Sequence, residues 1–256
     1  MTQSHYQSHS DTNATMRVMP REIRLMAERI LSLTSLPKGF FLTVGDMPMY
    51  SQKLRLGGLS LFEQRFESFC AADPARIAIA VESGERMVID AAGQHAWFVI
   101  PSVIDLLGEL VNRFGMAEIT VAGANDPDEL LLAASLGGRC GLAISVSGNV
   151  LTAVPATVTG EVGKDDPVLW ALLQDGADVP VDLWWRIYHL AKKALATDSI
   201  VSRRHAGPMI VNEDGTIIGR KDNDDETDVS FLSSKISERE KTQPEKAQSE
   251  EESVRL

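Results

Sequence analysis

The chain has 256 residues, 44% of them apolar and 24% charged, with a formal net charge of −11. Residues 220–256 hold 11 acids and 7 bases, which leaves most of the charge, −7, on residues 20–219. The apolar share supports a real core, whereas an acidic body repels phosphate backbones and excludes nucleic acid as the expected partner.

No apolar run approaches the roughly twenty residues that cross a bilayer, so no membrane partner is expected. Residues 1–19 are polar and lack the apolar segment of a secretory signal, and the expected location is cytoplasmic. Cys70 and Cys140 are too few and too far apart for a disulfide framework or a zinc motif; both are read as small buried residues.

In chain order, residues 1–19 carry His5 and His9 among Ser, Thr and Gln and read as a disordered tail, the two histidines being solvated rather than metal-bound. Pro20 opens a helix in which Ile23, Met26, Ala27, Ile30 and Leu33 share one face, ending near Leu36-Pro37-Lys38-Gly39. Residues 40–56 mix apolar side chains with the breakers Gly45 and Pro48 and run into Gly57-Gly58, which suits a buried loop, a short helix or a mobile lid. Leu59, Phe62, Phe66, Phe69 and Cys70 then mark a strongly amphipathic helix; its phenylalanines are read as core rather than as a ligand site.

Residues 76–147 are the organising stretch. Ile77, Ile79 and Val81 alternate as in a strand, and a tight turn at residues 83–86 leads into residues 87–90, predicting a hairpin. Residues 96–100 are apolar without alternation, which predicts a strand covered on both faces and ended by Pro101. Ser102 and Asp105 resemble a capping box for a helix through Phe114 that Gly115 stops, and residues 118–122 form the next strand. Asp126-Pro127-Asp128-Glu129 predicts a helix start, with Asp126 as cap and Glu129 reaching back; Gly137-Gly138 closes that helix. Residues 141–146 and 150–158 pair through a turn at residues 147–149. Strand, helix and strand within about thirty residues make a βαβ crossover. The fold class is therefore α/β, or α+β, with a mixed β-sheet, a central βαβ unit, packed helices and a C-terminal hairpin.

Pro167 begins a short helix that Gly176 closes, and Asp182 caps a longer one on which Leu183, Ile187, Leu190, Ala191 and Ala194 face the core. Residues 209–218 read as a last hairpin around Asp214-Gly215. The charged, Ser- and Gln-rich residues 220–256 read as a disordered acidic tail, so the expected organisation is tail 1–19, one globular domain 20–219 and tail 220–256.

Ser202-Arg203-Arg204-His205-Ala206-Gly207-Pro208 is the compact cationic cluster of this acidic body. An arginine fork holds carboxylate or phosphate, His205 can exchange a proton near neutral pH, and Gly207 lets backbone approach a ligand. The bland alternative is an arginine paired with surface acids and a Gly-Pro turn. Gly123-Ala124-Asn125-Asp126 stands between strand and helix, where α/β sheets bind ligands, but lacks the G-x-G-x-x-G fingerprint and reads as capping. Gly137-Gly138-Arg139-Cys140-Gly141 follows a helix rather than preceding one and reads as a helix stop. Residues 222–226 begin like a calcium loop, but Thr227 and Ser233 stand where its glycine and glutamate belong. No metal site or cofactor fingerprint is read.

Two patches resemble a proteobacterial family described only as a domain of unknown function. They are Leu36-Pro37-Lys38-Gly39 after the first helix, and the spaced series Trp184 or Trp185, Leu190-Ala191, Ser202-Arg203 and Gly207. The resemblance implies a bacterial source and supplies no mechanism. The leading functional reading is an accessory or binding protein that recognises a small anionic metabolite or a protein partner through Ser202, Arg203, Arg204, His205 and Gly207. The alternatives are a metabolic enzyme acting on a small carboxylate- or phosphate-bearing substrate, with His205 as acid or base and Arg203 holding the carboxylate, and a structural subunit of a larger complex. Homo-oligomerisation is left open.

Overall fold

The computed structural model describes residues 14–195 together with 210–211 and 217–218, and the chain divides into two units, Met1–Leu195 and Ala196–Leu256. The first unit is α/β. Its strands are β1 (Thr15–Val18), β2 (Ala78–Ser83), β3 (Arg86–Asp90), β4 (Ala117–Ala122), β5 (Leu142–Ser147), β6 (Val150–Pro155) and β7 (Ala177–Pro180). Its α-helices are α1 (Pro20–Leu31), α2 (Lys38–Val44), α3 (Met47–Lys53), α4 (Gly58–Cys70), α5 (Ala96–Phe114), α6 (Leu132–Gly137), α7 (Val162–Asp165), α8 (Pro167–Asp175) and α9 (Val181–Lys192). In the second unit β8 (Ile210–Val211) pairs antiparallel with β9 (Ile217–Ile218), at the expected C-terminal hairpin.

Apolar and polar residues alternate along β3 and β4, so Met87, Ile89, Ile119 and Val121 share one buried face. The sheet built on this pair has the order β2-β3-β4-β6-β5. Only β3 and β4 run parallel, from Arg86 opposite Glu118 to Asp90 opposite Ala122, because α5 carries the chain back between them; the other pairs are antiparallel. The mixed sheet and central βαβ unit of the sequence reading are present, but the strand entering the crossover is β3.

Residues 96–100 are the first turns of α5, not a strand. His95 Nδ1 accepts from the Trp97 N–H at 3.2 Å and caps the helix in place of Ser102, and Pro101 lies inside it. Ala96, Trp97, Phe98, Val99 and Ile100 are all buried, so the apolar run reflects a helix covered on every side, a pattern that periodicity cannot tell from a doubly covered strand. Against Phe98 and Trp97 pack Phe40, Phe62 and Phe69, the core role expected of the α4 phenylalanines.

Four further expectations are corrected. Thr15–Val18, assigned to the tail, forms β1 and pairs with β7, with Arg17 opposite Asp178 and Val18 opposite Ala177. Asp126 has φ 52° and no capping hydrogen bond; Pro127–Leu131 is a 3₁₀ turn, and α6 begins only at Leu132. The last helix has Pro180 at its N-cap position and no side-chain capping bond, with Asp182 in its first turn. Nor are the cysteines buried: Cys140 is exposed and Cys70 half-buried.

Where α6 ends, Gly138 lies under the α7–α8 corner, and a Cβ there would stand 2.2 Å from the Asp165 carbonyl oxygen. Backbone cannot yield as a flexible side chain does. Gly138→Ala is therefore expected to cost about 2 kcal/mol through overpacking, read as a lowered midpoint in urea unfolding.

Candidate functional site

The corner between α3 and α4 frames a cavity of about 550 Å³. Glu129, only 2% exposed, reaches this corner from the 3₁₀ turn and accepts three donors: Ser51 Oγ at 3.0 Å, Gly57 N–H at 2.8 Å and Trp97 Nε1 at 2.8 Å. Ser51 Oγ in turn accepts from Gly58 N–H, and Gln52 Oε1 accepts from Leu59 N–H. The first donors of α4 are thus consumed by protein oxygens, and its positive end does not await an anion.

Cationic and acidic side chains both face the cavity. It lies between the α3–α4 corner, the end of α8, the β1–β7 ladder and the start of α9. Arg17, Lys53 and Arg55 line it, with Asp175 and Asp178 also on its wall. The period of two on β1 turns Met16 and Val18 inward and Arg17 outward. A Cβ at Gly176 would stand 2.7 Å from Val18 O and 3.0 Å from Arg17 Cγ, so glycine is what lets α8 end against β1 there.

Lys53 Nζ donates to Ala171 O at 3.2 Å and Gly176 O at 2.9 Å, tying the cavity to the C-terminus of α8. Arg17 and Arg55 make no ion pair or side-chain hydrogen bond among the described residues. Arg55 is also held at φ 57°, a conformation that costs a non-glycine residue about 1–2 kcal/mol and that clusters at functional positions. Two unpaired guanidiniums beside an ammonium can grip a carboxylate or phosphate through paired N–H groups.

Two other polar clusters serve the fold. At the ends of β3 and β4 the following loops zip together: Gly93 N–H donates to Gly123 O, Asn125 N–H to Gln94 O and Asn125 Nδ2 to Gly93 O. Asp126 takes both arms of Arg65, at 2.8 and 2.9 Å, and its Oδ2 lies 3.3 Å from His95 Nε2 without hydrogen-bond geometry. Burial pushes the His95 imidazole down to about 4, and Arg65 pushes the same way against the opposing Asp126 charge. In the second cluster, fully buried Asp166 accepts from the Tyr50 hydroxyl and the Leu169 N–H and pairs with Arg139 at 3.1 Å. Burial, together with the bond to Asp166, raises the Tyr50 phenol.

Ser202, Arg203, Arg204, His205 and Gly207 lie outside the described residues, as do residues 222–226. Gly123–Asp126 closes the strand ends instead of opening a phosphate site, and Gly137-Gly138 is a tightly packed helix end. His189 stacks beside Trp185 and Tyr188 on the exposed side of α9. Sequence reasoning missed Arg17, because it fell in a supposed tail, and Arg55. The available signal was Lys53-x-Arg55 set directly before the Gly57-Gly58 helix start. Among the described residues no three His, Cys, Asp or Glu side chains converge as a metal site requires, and no helix is long and apolar enough to cross a membrane.

Fold and cavity together define an α/β protein with a cationic cleft. No family model matches the chain, and no curated protein matches it in sequence. Among solved structures, a dehydrogenase from Sinorhizobium meliloti is 9% identical with a TM-score of 0.50, over 70% of this chain and 100% of that one. Malate dehydrogenase from Entamoeba histolytica is 15% identical with a TM-score of 0.41, over 51% of this chain, and sulfolactate dehydrogenase from Methanocaldococcus jannaschii is 17% identical with a TM-score of 0.39, over 48%. This chain spans 38% of the length of each of the latter two. At 9% identity the likeness to the Sinorhizobium meliloti protein is one of α/β fold.

Proposed function

We propose that the protein is a cytoplasmic binding protein for a small anionic metabolite, held in the cleft by Arg17 and Arg55. One observation carries this reading: in a chain of net charge −11, a cavity of about 550 Å³ sets three cations against two acids, and Arg17 and Arg55 are unpaired among the described residues. The field in such a cleft concentrates anions that the rest of the surface repels. The cleft also has the size of pockets that hold metabolites, within the usual span of roughly 300–1,000 Å³.

The test is titration calorimetry with inorganic phosphate and with short dicarboxylates on the full chain. Arg55→Gly removes the guanidinium and at the same time relieves the left-handed backbone, so it is expected to leave the thermal midpoint unchanged or raised. Affinity should fall at least about tenfold, the share of a charge-assisted pair. Arg17→Ala should do the same, and Arg203→Ala with Arg204→Ala should leave the cleft's affinity intact. If the Arg55 variant binds as the parent does, or if the parent binds no anion, the cleft is not the site.

A second reading is a metabolic enzyme acting on a small carboxylate- or phosphate-bearing substrate. The carboxylates of Asp175 and Asp178 on the same cavity wall favour it, since they offer groups able to exchange a proton beside a gripped anion. Turnover of a bound anion, lost in Asp178→Asn but with binding retained, would put this reading first.

A further inference from the structure

Among the described residues nothing covers the face of the five-stranded sheet turned away from α5. Its central row runs across every strand, with Val81 opposite Val88, Val88 opposite Thr120, Thr120 opposite Val150 and Val150 opposite Ser147. In the next row Arg86 and Glu118 are paired at 3.6 Å, and Thr152 and Ser145 continue it. A third charge, Asp90 at the end of β3, accepts from the Ala92 N–H. Val154 is 49% exposed, and Val81 of the central row 53%.

Among the described residues α5 and α6 are the α-helices packed most closely on the sheet, and both lie on the opposite face, where Gly108 nears Leu142 and Gly137 nears Ile144. The uncovered face is rich in Val and Thr and its central row carries no charge, in a protein that is otherwise strongly acidic.

We propose that this face is the interface of a homodimer, with a second copy packed sheet on sheet about a two-fold axis. Two acidic molecules repel except where the meeting surfaces are close to neutral, and this face, with Arg86 set against Glu118, meets that condition for a copy of itself. By strand spacing and rise it covers roughly 500 Å² per copy, so a pair reaches about 1,000 Å², the least that a specific interface needs. Pairing through the open edge of β2 is the rival arrangement. The irregularity between Ile79 and Val81 breaks that strand's ladder, a device that blunts edges.

Sedimentation of the full chain over a concentration series is expected to give twice the chain mass. Val81→Lys and Thr120→Lys place like charges opposite one another across the two-fold and should each weaken the dimer at least about tenfold, with circular dichroism unchanged. Val81 is so exposed that lysine there leaves the monomer's packing intact, which keeps the test independent of folding at Thr120. A single-chain mass throughout, or unaltered dimerisation in the Val81 variant, overturns the proposal. So does dissociation by Ala80→Pro, which blocks the edge, while both lysine variants still dimerise.

Discussion

Glu129→Leu is expected to lower the free energy of unfolding by about 5 kcal/mol. Leucine fills most of the volume but accepts nothing, and the donors left behind are the Ser51 hydroxyl, the Gly57 N–H and the Trp97 indole N–H. Each buried donor without a partner costs about 1–3 kcal/mol. Domains of this kind are stable by roughly 5–15 kcal/mol, so the variant should sit near its unfolding midpoint without denaturant, as urea titration would show.

Glu129→Gln separates the shape of the side chain from its acceptors. Oε1 already serves Ser51 and Gly57, so a glutamine oxygen in that position keeps both bonds, while its amide nitrogen then faces the Trp97 N–H, donor against donor. A loss of about 2 kcal/mol is expected. Adding Trp97→Phe removes the second donor, so the double variant should lose less than the sum of the two single changes. Simple additivity would show that Trp97 and Glu129 do not act as one unit.

The cost is concentrated at Glu129 because that carboxylate joins three elements distant in sequence, and the same distance explains why it was illegible there. Asp126-Pro127-Asp128-Glu129 has the local spacing of a helix start, and local spacing says nothing of Ser51 or Trp97. Where a decision is local, the sequence is explicit: Pro167 and Gly176 bound α8, and the turns at Gly84 and Gly148 make the hairpins. Where it depends on what covers a segment, the sequence is silent. Residues 96–100 look alike as a buried helix or a buried strand. β1 and β7 are four residues each and become strands only by pairing with one another. The cleft shares this property, since Arg17 and Arg55 approach one cavity only after β1 has found β7. Part of it was nevertheless on the surface of the text, as Lys53 and Arg55 crowd the approach to Gly57-Gly58.

Stability should also fall as pH drops from about 6.5 to about 4, and His95 is the cause. The unfolded imidazole titrates near 6.5. In the fold it is 4% exposed, ringed by Phe69, Trp97 and Phe98, and titrates at about 4. Between those values the unfolded chain binds a proton that the folded chain refuses, so the contribution is complete above the upper value, declines through the window and is gone below the lower one. The total is about 3 kcal/mol. Arg65, which holds Asp126 below its ordinary carboxylate value, moves the loss from that acid to still lower pH, so the two separate along a titration. His95→Asn keeps an oxygen able to cap α5 and has no proton to gain; urea midpoints measured across the window should become flat in that variant. Arg65→Met offers the opposite check. With the guanidinium gone, the Asp126 charge acts on the imidazole unopposed, its folded value rises towards 6.5, and the pH-dependent loss shrinks. A parent protein equally stable across the window would show that His95 makes no such contribution, and an Asn variant that retains the slope would assign the acid sensitivity to other groups.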